Sequence, residues 1–187
     1  IVKPAFYGMI ENVDENIGRL MDKLKALKLD QNTIVIFMTD NGTASGVWTK
    51  KETQFVFKGY GAGMRGKKNS AYEGGHRVPF FIRWPKGNLK ANNEINALTA
   101  HIDILPTLMD LCQLKDSENI QFDGKNLTPM LYGKGNWIQR TLVVDSQRSE
   151  YLKKWKKSAV MTEQWRLING KELYNIQEDF GQKNDIA

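Results

Sequence analysis

Cysteine is almost missing from this 187-residue chain, and Cys112, the only one, excludes an internal disulfide while saying nothing about compartment. Set in Leu111-Cys112-Gln113-Leu114, it reads as a small buried hydrophobe. No apolar run approaches the roughly 20 residues needed to cross a bilayer, which excludes a spanning helix. The opening Ile1-Val2-Lys3-Pro4 has no initiator Met, basic n-region or apolar h-region, so no secretory signal is visible. Repeats and low-complexity segments are absent. Histidine is scarce, with His76 and His101 the only two, which narrows the candidates for proton chemistry.

What is present is a composition able to build one good-sized core, or a core with a small appendage, since 41% of the residues are hydrophobic. The formal charge of +6 suits a polyanionic partner, whether nucleic acid, anionic membrane or sulfated glycan. The densest basic run, Lys153-Lys154-Trp155-Lys156-Lys157, carries an aromatic that could stack on a base. No nucleic-acid motif accompanies it. It reads as a solvated hairpin edge or helix end, and neither nucleic acid nor membrane is expected as a partner.

Apolar residues Ile10, Val13, Ile17, Leu20, Met21, Leu24 and Leu27 recur at mostly three- and four-residue steps, which predicts an amphipathic helix over residues 7–27 packed on a sheet. After a turn, Thr33-Ile34-Val35-Ile36-Phe37-Met38 is a continuous apolar run that reads as a strand buried on both faces. Helix, turn and buried strand predict an α/β class with a mostly parallel sheet flanked by helices. Residues 43–64 lose the pattern and read as a long loop, functional or mobile. Residues 78–84 read as a second strand, and residues 102–111 as a helix with Asp103 near its N-terminus. The short runs at 142–144, 158–162, 165–168 and 172–174 predict a small antiparallel sheet. The expected division is a first part over 1–135 and a small C-terminal α+β subdomain over 136–187.

Two stretches carry chemistry. Thr39-Asp40-Asn41-Gly42 ends the first strand run, where open α/β sheets place ligands, and offers a carboxylate and an amide oxygen to a hard cation. A turn after a strand would favour the same residues. Arg65-Gly66-Lys67-Lys68-Asn69-Ser70-Ala71-Tyr72-Glu73-Gly74-Gly75-His76-Arg77 holds cations in a glycine-rich loop, and a lysine held so can bind and stabilise an oxyanion. Lys67 and Lys68 are the adjacent lysines of this loop, and Lys67 reads as a solvated neighbour. Glu73 and Arg77 are expected to pair across Gly74-Gly75. Trp48, Phe55, Phe57 and Tyr60 suit stacking on a sugar or folding onto the domain.

In this order the two stretches resemble the sulfatase family, with its metal-binding Asp-Asn-Gly and its sulfate-contacting lysine five residues before a Glu-Gly-Gly turn. The resemblance implies an alkaline-phosphatase-like fold and hydrolysis of sulfate esters by a formylglycine nucleophile beside calcium. It implies Asp40 and Asn41 as metal ligands, Lys68 as the catalytic and sulfate-binding cation, and a sulfated small molecule or glycan as substrate. His76 is a candidate for lining the substrate pocket. The family makes formylglycine in a Cys/Ser-x-Pro-x-Arg pentapeptide, which occurs nowhere in these 187 residues, and its first metal carboxylates have no counterpart before Asp40. The chain is therefore expected to be the C-terminal portion of a sulfatase, inactive alone and self-associating through the first helix or strand. A periplasmic, secreted or lysosomal home is implied by the resemblance alone. Two alternatives stay open: a phosphatase or phosphodiesterase of the same superfold, and a non-catalytic anion- or glycan-binding module.

Overall fold

The computed structural model describes residues 4–115, 120–135 and 137–187. Its order is α1 (Pro4–Ala26), β1 (Val35–Met38), β2 (Val47–Thr49), β3 (Val56–Gly59), α2 (Glu73–His76), β4 (Phe80–Arg83), a 3-10 turn (His101–Asp103), α3 (Ile104–Leu111), α4 (Thr128–Leu131) and β5 to β8. The last four are Leu142–Asp145, Ser158–Met161, Trp165–Ile168 and Glu172–Asn175. By contacts the chain divides into two interleaved units. One holds residues 1–22, 37–80 and 140–187, the other 23–36 and 81–139.

In the first unit, β5-β6-β7-β8 form the expected antiparallel sheet. Its pairing is Leu142 with Met161, Met161 with Arg166 and Arg166 with Tyr174, so these four stand in one row on one face. Because strand side chains alternate, Ala159, Ile168 and Glu172 share that face while Val143 and Trp165 point to solvent. The inward face is the only one that buries large side chains, and it carries Arg166 and Tyr174 among apolar residues. The lysine-rich run is the turn between β5 and β6, as its hairpin-edge reading requires.

Residues 43–64 are not one long loop. Val47, Trp48 and Thr49 pair antiparallel with Gly59, Lys58 and Val56, and the register slips between Trp48 and Thr49. The strands are short and broken by a bulge, too little for a two-residue alternation to register in the sequence.

In the second unit, Leu111, Leu127 and Leu131 form a small core against Ile34, Ile82, Trp84 and Leu89. Asp103, fully buried, accepts the Ala100 N–H at 2.7 Å and the Lys125 N–H at 2.8 Å, so it ties the helix entry to a distant loop. Cys112 is exposed, contrary to its reading as a buried hydrophobe. The buried face of α3 is Thr107 and Leu111, and Cys112 is the residue just past the last turn.

β1 pairs with β4 alone among the described residues. It is not buried on both faces: its residues are half-buried and Phe37 is 40% exposed. Nor does α1 pack as expected, for none of its residues is buried. A hydrophobic run specifies what a strand would bury, and burial itself depends on what is there to cover it.

Candidate functional site

The two stretches singled out in the sequence meet. The Gly42 N–H donates to the Gly75 carbonyl at 3.0 Å, and the Lys68 N–H donates to the Thr43 carbonyl at 3.0 Å. These two bonds staple the Asp-Asn-Gly turn to the lysine loop on one side and to the Glu-Gly-Gly turn on the other. The approach is so close that a Cβ at Gly42 would lie 1.8 Å from the Gly74 carbonyl oxygen. One at Gly74 would lie 2.4 Å from the Gly66 carbonyl oxygen. Here glycine is required for contact between backbones as well as for conformation.

Asp40 is exposed at the end of β1 and accepts a hydrogen bond from the Asn41 amide. That bond holds the Asp40 carboxyl below its usual range; desolvation opposes it, and the Lys68 ammonium adds to the lowering. The Asn41 Nδ2 is spent on Asp40, which leaves the Asn41 Oδ1 as an oxygen donor. Lys68 itself is half-buried, in a loop that Gly66 (φ 87°) and Asn69 (φ 70°) turn through the left-handed region. The arrangement offers two oxygens to a cation and one cation to an oxyanion, side by side. Among the described residues no three His, Cys, Asp or Glu side chains gather to hold a metal.

His76 is tied elsewhere. Its Nε2 is 3.1 Å from the Ala71 carbonyl oxygen, which can only accept, so the ring proton sits on Nε2. Burial pushes its pKa down, Glu73 pulls the other way, and Arg166 and Arg77 add to the depression. The ring is neutral near neutral pH and its described contacts run to the Glu73 network, not to Asp40, Asn41 or Lys68.

Glu73 pairs with Arg77 across the turn at 3.2 Å, as expected, but its shorter bond is to Arg166 Nε at 2.6 Å. Burial alone would raise this carboxyl; the charge and hydrogen bond of Arg166, then His76 and Arg77, outweigh it and hold it below its usual range. Beside it, Arg65 lies flat on the Tyr72 ring, 3.8 Å from its centroid. The Arg65 Nε donates to the Thr53 carbonyl at 2.7 Å and its NH1 to the Tyr174 hydroxyl at 2.8 Å. Tyr72 and Tyr174 both donate to Glu172, and burial with that carboxylate pushes Tyr174 up to about 12.

Sequence reasoning missed the partners of the Glu-Gly-Gly turn: Arg166 on the Glu73 carboxylate, Gln182 on the Glu73 N–H, and Arg65, whose carbonyl accepts the Gly74 N–H. Arg166 had a signal: it shares the inward phase of β7 with Ile168, and a cation in that phase needs a buried partner. Gln182 had none.

Known proteins resemble this chain in sequence and fold. A family model described as Sulfatase matches residues 3–114, and one described as N-sulphoglucosamine sulphohydrolase, C-terminal, matches residues 65–187. N-acetylgalactosamine-6-O-sulfatase of Bacteroides thetaiotaomicron is 32% identical over 200 residues, covering 96% of this chain and 37% of that protein. A solved structure in complex with k-i-k-neocarrahexaose superposes with a TM-score of 0.74 at 27% identity, over 96% of this chain and 38% of that one. Another, in complex with its substrate D-glucosamine-2-N, 6-O-disulfate, does so with a TM-score of 0.69 at 25% identity, over 95% and 34%. The chain thus spans less than two-fifths of the length of each, and along nearly all of itself it has the fold of solved sulfatases, alkaline-phosphatase-like with a small antiparallel sheet. With a family model across residues 3–114 and a relative aligned along almost its whole length, the chain belongs to the sulfatase family.

Proposed function

We propose that this chain forms the cation- and sulfate-facing part of a sulfate ester hydrolase acting on sulfated carbohydrate. The observation that carries the reading is the double staple, Gly42 to Gly75 and Lys68 to Thr43, which holds Asp40, Asn41 and the Lys68 ammonium beside one another. A calcium ion fits the chemistry of this donor set, which is one carboxylate and one amide oxygen, hard ligands of the kind it takes. Asp40 and Asn41 would supply two of its oxygens, and the ion would add positive charge next to the sulfate. Lys68 binds the sulfate and stabilises charge on the leaving oxygen. Formylglycine does not fit any residue here, because its parent pentapeptide is absent, so no step is assigned to it and the isolated chain is expected to be inactive.

His76, neutral and half-buried, with its one N–H given to the Ala71 carbonyl, would line the substrate side as an uncharged wall. Sulfated sugars are favoured as substrates because two of the similar proteins are described with them, one by its name and one by its bound substrate. The mostly parallel sheet, the division at residue 135 and a periplasmic, secreted or lysosomal location belong to the same proposal. No helix among the described residues is long and apolar enough to cross a membrane.

The test is turnover by this chain within a protein of its relatives' length. A 6-sulfated N-acetylhexosamine and its phosphate counterpart are offered side by side, with and without a calcium chelator. Sulfate release that the chelator abolishes, and none from the isolated chain, is the expected result. Release of phosphate alone would transfer the chain to phosphoryl chemistry, and turnover by the isolated chain would refute the dependence on residues it lacks.

A further inference from the structure

Gln182 is a fully buried polar residue near the end of the chain. Its backbone lies in the left-handed region at φ 51°, which is costly for a residue with a side chain. Its Nε2 is buried with no hydrogen-bond partner among the described residues, a second cost. A tight turn nevertheless holds it there. The Gln182 N–H donates to the Asp179 carbonyl at 3.0 Å, and the Asp179 carboxylate accepts the N–H groups of Lys183 at 2.7 Å and Asn184 at 2.8 Å. Strain and an unmet donor together return no stability, and the favourable bonds of the residue are those its two oxygens make to its neighbours.

Both of its acceptors face the candidate site. The Gln182 Oε1 accepts the Glu73 N–H at 2.9 Å, and the Gln182 carbonyl accepts Arg65 NH1 at 3.0 Å. From there the connection is continuous: the Arg65 carbonyl accepts the Gly74 N–H at 2.8 Å, and the Gly75 carbonyl accepts the Gly42 N–H at 3.0 Å. Arg65 also opens the loop that carries Lys68. One residue therefore grips the start of α2 with its side chain and the start of the lysine loop with its backbone carbonyl, the two segments stapled to the Asp-Asn-Gly turn.

We propose that Gln182 is a positioning residue for this site, setting the distance between the Asp40–Asn41 oxygens and the Lys68 cation through Glu73 and Arg65. The inference rests on the reading of those three residues as the reacting site, and its test separates the two. Gln182→Met removes the side-chain acceptor at nearly constant volume, whereas Gln182→Glu keeps an oxygen at the same reach for the Glu73 N–H. Amide hydrogen exchange on the chain is the first readout. Gln182→Met should speed exchange at Glu73, Gly42 and Lys68 by about fivefold or more, leave the β6 and β7 amides unchanged, and be reversed in large part by Gln182→Glu. Should the Met variant not fold, Gln182→Asn, which withdraws the oxygen by one methylene, is read at the same amides. Faster exchange at Glu73 alone, or equal acceleration everywhere, would overturn the proposal.

Turnover is the second readout, in the relatives-length protein, with Ile168→Val as a control that loosens packing on the inward face of the same unit's sheet and removes no hydrogen bond to Glu73 or Arg65. Gln182→Met should lower kcat about tenfold with KM unchanged, and Ile168→Val should not. Equal losses in both would leave Gln182 a packing residue only. The predicted exchange pattern in a wild-type protein that releases no sulfate would instead leave Gln182 in place and defeat the functional reading.

Discussion

Glu73 is 1% exposed and holds two arginines and a histidine in its field, so its protonation state matters to everything built on it. Its folded pKa is depressed; the stability it contributes is therefore present above its unfolded value of about 4.3 and lost as pH falls through the lower folded value. His76 is depressed too, chiefly by burial, but it is a base, so the fold opposes its charging. Between its folded pKa and about 6.5 the unfolded chain binds more protons, and stability falls as pH falls through that window. Denaturant midpoints taken from pH 8 to pH 3 should accordingly show two declines. His76→Gln should flatten only the upper one, and an unchanged upper decline in that variant would remove His76 from the account. Arg166→Leu leaves the Glu73 carboxylate buried with only the partly exposed Arg77, and should cost about 3–5 kcal/mol in an unfolding titration. A loss under about 1 kcal/mol would mean that Glu73 is neutral in the fold.

At the scale of elements, the meeting of three turns depends on bare backbone. Gly42→Ala puts a methyl group against the Gly74 carbonyl, and backbone cannot give way as a flexible side chain can. The staple should open, with about 1–3 kcal/mol of stability lost and exchange at Lys68 accelerated. Wild-type stability with an intact Lys68 amide would contradict the geometry. The elements themselves were largely readable. The three- and four-residue apolar spacing gave α1, short strand-like runs between turns gave β5 to β8, and the run before Asp40 gave β1. The β2–β3 hairpin was hidden because three- and four-residue strands with a bulge leave no countable period. Of the site, the pairing of Glu73 with Arg77 could be read locally, since four residues separate them. The bond from Arg166 to Glu73 spans 93 positions and that from Gln182 to Glu73 spans 109, and no pattern within one segment reports such partners.

For the whole molecule, two features set behaviour. The β5–β8 sheet is tied to residues 37–80 through Arg65 and Glu73, so this unit is built from segments far apart in the chain. Meanwhile α1 buries no residue and exposes Ile10, Val13 and Leu20. Apolar surface of that extent favours association, and the isolated chain should self-associate through α1 or β1. Light scattering that reports a monomer at high concentration, with no dye-accessible apolar surface, would contradict this. The central claim, that the Asp-Asn-Gly turn and the lysine loop make one sulfate site, is tested most directly by Lys68→Ala in the relatives-length protein. Turnover of a sulfated sugar should fall about 10²-fold or more, with Lys67→Ala close to wild type. Undiminished turnover in Lys68→Ala would mean that the lysine stapled beside Asp40 is not the sulfate's cation.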